Sequence, residues 1–307
     1  MAAIATRGEK VLVTGGAGFL GSWVVERLVS LGTPVRVIVR SGENQENIGA
    51  LKGAIEIVEG DLTDDSFCRD ATRGCTRLVH LAAIKKNLTY HAKHPAGVLD
   101  ANVRMVANIL SAAKDAGISR VVSLSSSRAD AEWLESPHFG YAWSKKIGEI
   151  FGEAYRREYS MEVTSIRVES VFGPRDSFDP ITAQVIPSLI RRILTDEENP
   201  LRVVAVRDAV KNFSFCEDVA GAIASILFDP IYHPVIVLAP SYAVSFQEVV
   251  EAIRVASAKE FVVEFLDGKN VERPTPIDVS LPQHSVESPL PFRDAIQRTV
   301  GWYRDHA

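Results

Sequence analysis

Thr14-Gly15-Gly16-Ala17-Gly18-Phe19-Leu20-Gly21 is the stretch on which the reading of this chain turns. It follows a short apolar run, Val11-Leu12-Val13, and precedes an amphipathic segment over residues 22–31. A strand, a glycine turn and a helix in that order bring backbone N–H groups and a helix N-terminus up to a pyrophosphate. Gly15, Gly18 and Gly21 keep the spacing G-x-x-G-x-x-G. That spacing meets three needs: a tight turn, close approach of backbone to phosphate oxygens, and close packing of helix on strand. Alone, such a motif does no more than turn the chain; its flanks make Gly15, Gly18, Phe19, Leu20 and Gly21 a dinucleotide site. Further along, Tyr141-Ala-Trp-Ser-Lys145 sets a phenol and an ammonium four residues apart, on one face of a helix. A dinucleotide site with a placed Tyr/Lys pair points to redox chemistry.

Outward from the turn, short apolar runs alternate with helical patterns. The runs cover residues 11–13, 35–39, 55–58, 78–81, 121–124 and 163–166, and the helical patterns 22–31, 66–72, 99–116 and 141–159. Strands that are apolar throughout, linked by helices, predict a parallel sheet covered on both faces. The expected fold class is therefore α/β, a Rossmann-type doubly wound sheet. After Phe172-Gly173-Pro174 the rhythm changes, so residues 1–172 are read as the cofactor-binding domain. Residues 173–307 are read as a smaller C-terminal α/β substrate region interleaved with it. There the expected helices span 183–194, 219–228, 246–257 and 292–304, with strands at 201–206, 212–215 and 235–238 and an irregular excursion over 267–291.

With 46% hydrophobic and 24% charged residues the composition is that of an ordinary soluble globular protein, and a net charge of −5 gives nucleic acid or an anionic membrane no electrostatic hold. No run reaches membrane-spanning length. Cys68, Cys75 and Cys216 form no metal spacing and read as reduced, buried thiols of a cytoplasmic protein. His91 and His94 have no third ligand in spacing, so no metal is expected.

The end of the second run bears on the cofactor. An acidic residue there would bond the adenosine ribose, but Val35–Val39 is followed by Arg40-Ser41. A guanidinium suits a 2′-phosphate by charge and fork geometry, which favours NADP(H), with NAD(H) as the alternative. Asp61-Leu62, after the third run, could reach the adenine.

At this point the chain resembles the extended short-chain dehydrogenase/reductases, and within them the nucleotide-sugar epimerases, dehydratases and reductases, over nearly its whole length. Besides the glycine turn and Tyr141/Lys145, the likeness rests on Gly60-Asp61-Leu62, His80-Leu81-Ala82-Ala83, Asn102 and Ser125-Ser126. It continues through Arg167, Val171-Phe172-Gly173-Pro174-Arg175, Glu217-Asp218-Val219-Ala220 and Thr299-Val300-Gly301-Trp302-Tyr303. The resemblance implies an active site of Ser126, Tyr141 and Lys145. Tyr141 would exchange the proton, Lys145 would lower its pKa and bond the nicotinamide ribose, and Ser126 would bond the reacting oxygen. It also places Leu81, Ala82, Ala83 and Asn102 at the cofactor, and Lys211 and Arg273 at a substrate diphosphate. Dimerisation through two helices is common in such enzymes. The stripe Leu99, Val103, Val106 and Leu110 is either core or, with Ile147, Ile150 and Phe151, half of that face.

Departures from the resemblance matter. The loop from Ser127 to Gly140 is short and lacks the Tyr-Gly usual after the serine, and Ser170 stands where Asn is usual. Residues 176–187 look like a piece of GDP-fucose synthases, but Gln184 replaces their histidine and no cysteine follows Ser126. An amide is neither acid nor base, so double epimerisation is not expected. The expected function is NADP(H)-dependent reduction of a keto group on a nucleotide-linked sugar. A sugar 4-epimerase, a reductase of a non-sugar ketone and a non-catalytic NADP-sensing protein are the alternatives.

Overall fold

The computed structural model describes residues 9–130, 137–266, 280–285 and 290–307. The first half forms β1 (Val11–Thr14), α1 (Phe19–Ser30), β2 (Val35–Val39), β3 (Ile55–Glu59), α2 (Asp65–Thr72) and β4 (Arg77–His80). Then come α3 (Leu88–Lys93), α4 (Pro95–Asp115), β5 (Arg120–Leu124), α5 (Phe139–Tyr159) and β6 (Glu162–Arg167). The C-terminal part contributes β7 (Val171–Phe172), α6 (Val185–Leu194), β8 (Leu201–Val203), β9 (Val210–Phe215) and α7 (Cys216–Phe228). It ends with β10 (Val235–Leu238), β11 (Tyr242–Ser245), α8 (Phe246–Ser257), β12 (Val263–Phe265), β13 (Gln283–His284) and α9 (Phe292–His306).

Among the described residues, eight parallel strands pair in the order β13-β10-β6-β5-β4-β1-β2-β3. The order reverses between β1 and β4, which opens a crevice beyond the strand C-termini, where ligands of such sheets bind. β1 shows why its residues are apolar throughout. Val11 and Val13 pack on one face with Val24, Leu28 and Ile223, while Leu12 packs on the other with Leu78, Ile109 and Val121. All of these side chains are fully buried. Trimming one such leucine to alanine costs about 2–5 kcal/mol, so the sheet centre is the least deformable part of the molecule.

Two strands that follow residue 173, β10 and β13, lie in this main sheet, so the C-terminal part returns to it. The rest of that part forms a three-stranded sheet, β11-β9-β7, and a two-stranded pair, β12-β8. A capping box at Ser245, whose hydroxyl accepts from the Glu248 N–H while the Glu248 carboxylate accepts from the Ser245 N–H, starts α8 where the sequence pattern does. The strand expected over 201–206 stops at Val203, and β13 falls within the excursion expected to be irregular. α3, β7, β11 and β12 lie outside the expected elements; at two to six residues they are too short to show a period. No helix among the described residues is long and apolar enough to cross a membrane. The three cysteines are buried free thiols.

Candidate active site

The glycine turn forms a cradle that no side chain could share. Gly15 has a φ of 68°, and its N–H-side neighbour in the turn, Gly18, donates to the Gly15 carbonyl at 3.1 Å. A Cβ on Gly21 would lie 2.0 Å from the Gly15 oxygen, and one on Gly15 would lie 2.9 Å from the Ala82 nitrogen. Helix α1 then begins at Phe19 and Leu20 with no side-chain cap and no acidic residue in its first turn. Its N–H donors and positive dipole end are free for an anion, and the cradle fits a dinucleotide pyrophosphate.

Across the crevice a polar knot joins the ends of β1 and β4. The Leu81 and Ala82 N–H groups donate to Thr14 Oγ1 at 3.2 and 3.3 Å, and that hydroxyl lies 2.8 Å from His80 Nδ1. With its oxygen accepting twice, the hydroxyl gives its proton to Nδ1, which leaves the ring proton on Nε2. Burial holds His80 down at about 3, with Lys145 adding to the effect, so it is a neutral structural histidine. Ala83 follows the knot, half-buried. Asn102 Oδ1 accepts the Ile84 N–H at 2.7 Å, and its amide donates to Ser144 Oγ at 3.2 Å, which donates to the Tyr141 carbonyl at 2.7 Å. Asn102 thus couples the segment after β4 to the helix that carries Tyr141.

Past β2, Arg40 is exposed, and its backbone N–H donates to the Glu43 carboxylate at 2.9 Å. A local turn, closed by the Glu43 N–H on the Arg40 carbonyl at 3.0 Å, thus sets a carboxylate three residues on against this strand end. Asp61 uses one oxygen on the Thr63 N–H and hydroxyl, both at 2.8 Å. Leu62 is buried, and its carbonyl accepts from Asn108 at 3.0 Å.

Ser126 lies just beyond β5, and Tyr141 and Lys145 lie on the first turns of α5. Tyr141 is 8% exposed and hydrogen-bonds Ser126. Burial pushes its phenol up to about 12, against the opposing pull of the Arg128 cation and the Ser126 bond, so the phenol is raised and not lowered by Lys145 as the resemblance implies. Lys145 Nζ donates to the Leu124 carbonyl at 2.7 Å and lies 5.7 Å from the Tyr141 ring centre. Burial and the nearby Lys85 charge hold its ammonium down at about 8, while Glu149 pulls the other way. Glu149 itself is clamped by Arg167, with Nε to Oε1 and Nη2 to Oε2 both at 2.8 Å, and Ser125 Oγ donates to Oε1 at 2.7 Å. One buried ion pair therefore ties α5, β6 and the end of β5 together.

Around Tyr141 stand groups that sequence reasoning did not assign. The His91 ring lies 5.2 Å from the Tyr141 ring and 5.5 Å from His138. Burial, then the His138 charge, hold His91 at about 4, and its Nε2 accepts the Lys86 N–H at 3.1 Å. Burial pushes Asp176 up to about 7, with Lys85 opposing, and its Oδ2 has no hydrogen-bond partner. Burial also raises Glu169, which hydrogen-bonds Ser127 and Asn212 and feels Lys211 and Arg128. Gln184 donates to the Lys86 carbonyl at 3.3 Å. Lys211 lies on β9 facing this group, whereas Arg273 lies outside the described residues. The signal in the sequence was a carboxylate, Glu169, set directly between the β6 run and Val171-Phe172, where apolar residues are expected.

A model of the NAD dependent epimerase/dehydratase family matches residues 11–233. The chain is 28% identical over 321 residues to a dTDP-4-dehydro-6-deoxy-D-allose reductase from a Streptomyces species, covering 97% of each chain. It is 30% identical over 208 residues to a dihydroflavonol 4-reductase of Zea mays, covering 59% of this chain and 56% of that one. Among solved structures, the UDP-glucose 4-epimerase of Thermus thermophilus in complex with NAD is 27% identical with a TM-score of 0.76. The match covers 97% of this chain and all of that one.

Proposed function

The chain belongs to the NAD-dependent epimerase/dehydratase family, and from there we propose that it reduces a keto group of a nucleotide-linked sugar with NADP(H). The observation that carries this reading is the buried Tyr141 phenol, hydrogen-bonded to Ser126 at the crevice and protonated at neutral pH. A group in that state is a proton donor, which is what carbonyl reduction asks of it. The bound cofactor supplies the hydride. Ser126 and Tyr141 hold the carbonyl oxygen, and Tyr141 passes its proton to that oxygen as the alcohol forms. Lys145, anchored on Leu124, keeps two N–H donors for the cofactor ribose.

The exposed Arg40 guanidinium supports NADP(H), and Lys211 supplies a point charge for the substrate diphosphate; Arg273 is proposed as the second such contact. Val106 and Leu110 belong to the core of this chain, while the half-buried Leu99, Val103 and Ile147 with the exposed Ile150 on α4 and α5 support a homodimer, whose mass light scattering would read. Three buried free thiols support a cytoplasmic location. The test is NADPH consumption with a dTDP-linked 4-keto-6-deoxy sugar, and lack of turnover with any nucleotide-linked ketone would refute the reading.

One observation favours a second reading, a nucleotide-sugar 4-epimerase. Glu43 at the end of β2 can accept ribose hydroxyls and so suits NAD. Protein that purifies with tightly held NAD and interconverts two sugar nucleotides would decide for the epimerase.

A further inference from the structure

We propose that Glu169 reads the sugar of the substrate, its Oε1 accepting a hydroxyl of the ring; this rests on the nucleotide-sugar reading above. The chain path sets the position. Residues 168–170 run between the catalytic serine segment and β9, with the Ser127 N–H donating to the Val168 carbonyl at 3.4 Å and the Ser214 N–H to the Ser170 carbonyl at 3.3 Å. Ser170 has a φ of 31°, a left-handed backbone in a non-glycine residue beside the carboxylate. Such strain persists where surrounding structure over-determines it, and it gathers at binding sites.

Glu169 bonds Ser127 on one side and Asn212 on the other. Its Oε1 is buried without a hydrogen-bond partner. The charges that act on Glu169 locate it further. Arg128 also acts on the Tyr141 phenol, and Lys211 is the proposed diphosphate cation. Glu169 therefore shares the Arg128 charge with the group that protonates the carbonyl and also feels the cation proposed to hold the diphosphate. In a nucleotide-linked hexose, what lies between the reacting carbon and the diphosphate is the ring with its hydroxyls. A buried carboxylate oxygen left unpaired is costly, and an O–H donor to a carboxylate makes one of the stronger hydrogen bonds available. A polyol supplies that donor.

A carboxylate that served only as counter-ion to Arg128 and Lys211 would behave differently. Its removal would strengthen diphosphate binding and leave any preference for the sugar untouched. Calorimetric titration of the full chain separates the two, using dTDP, UDP and GDP beside dTDP-glucose, UDP-glucose and GDP-mannose. The parent should bind at least one sugar nucleotide about tenfold or more tightly than its nucleoside diphosphate. Glu169→Met should abolish that preference while keeping the nucleoside diphosphate and cofactor affinities, and Glu169→Gln, which retains an acceptor oxygen, should keep part of it. A preference intact in Glu169→Met, or absent from the parent with all three pairs, overturns the assignment. Failure of every nucleotide to bind would remove the nucleotide-sugar reading and this inference together, whereas bound nucleotides with an intact preference remove this inference alone.

Discussion

Arg167→Met should destabilise the protein far more than an ordinary arginine substitution. The guanidinium and the Glu149 carboxylate are 4% and 6% exposed and meet through two 2.8 Å bonds. Without the arginine, the carboxylate keeps the Ser125 hydroxyl at 2.7 Å and the Lys146 ammonium at 3.7 Å. A buried charge that loses its main partner costs about 3–5 kcal/mol, because its desolvation is no longer offset. For a chain of this size that is a fall in Tm of roughly 5–8 °C. Glu149→Leu takes the carboxylate away from the buried arginine and should cost a similar amount. The double variant buries neither charge and should recover most of the loss, giving a coupling of about 2 kcal/mol or more. Chemical unfolding of the four proteins at neutral pH measures the cycle. Because Glu149 props up the Lys145 charge, Glu149→Leu should also let Lys145 lose its proton at a lower pH. Single losses below about 1 kcal/mol that simply add would show that solvent screens the pair, and would refute the argument from burial.

Tyr141→Phe keeps the ring and removes the hydroxyl, so fold and cofactor affinity should survive while turnover falls at least ~100-fold; near-normal turnover would place the proton donor elsewhere. Arg40→Asp should weaken NADPH roughly ten- to a hundredfold, by loss of a charge-assisted contact, and spare NADH; equal parental affinities for the two cofactors would sink that role. Lys145 is held at about 8, so cofactor affinity should decline as pH rises through that value, a limb that Lys145→Met should lack in binding titrations. The sign for stability is opposite. Burial penalises the ammonium below about pH 8, and the penalty fades as pH climbs toward the unfolded value of about 10.4, so Lys145 contributes a rise in stability across that window.

The sequence by itself determined the sheet and the cradle. The apolar run Val11–Val13, and Val35–Val39 broken only by Arg36, call for burial on both faces and so for crossover helices and a parallel sheet. Gly15 and Gly21 are local demands, a positive φ and a contact that no Cβ permits, and local demands are written where they act. The Tyr141/Lys145 pair was legible for the same reason, because four residues on a helix fix a common face. Only the tertiary structure decided which cations and carboxylates share the crevice. The Arg128 charge acts on both Glu169 and Tyr141 across separate elements, and Lys211 on β9 acts on Glu169. Glu149 finds Arg167 from another element of the fold, a partnership that no period announces. Charge interactions depend on distance and burial in the folded chain, and neither quantity exists along the sequence.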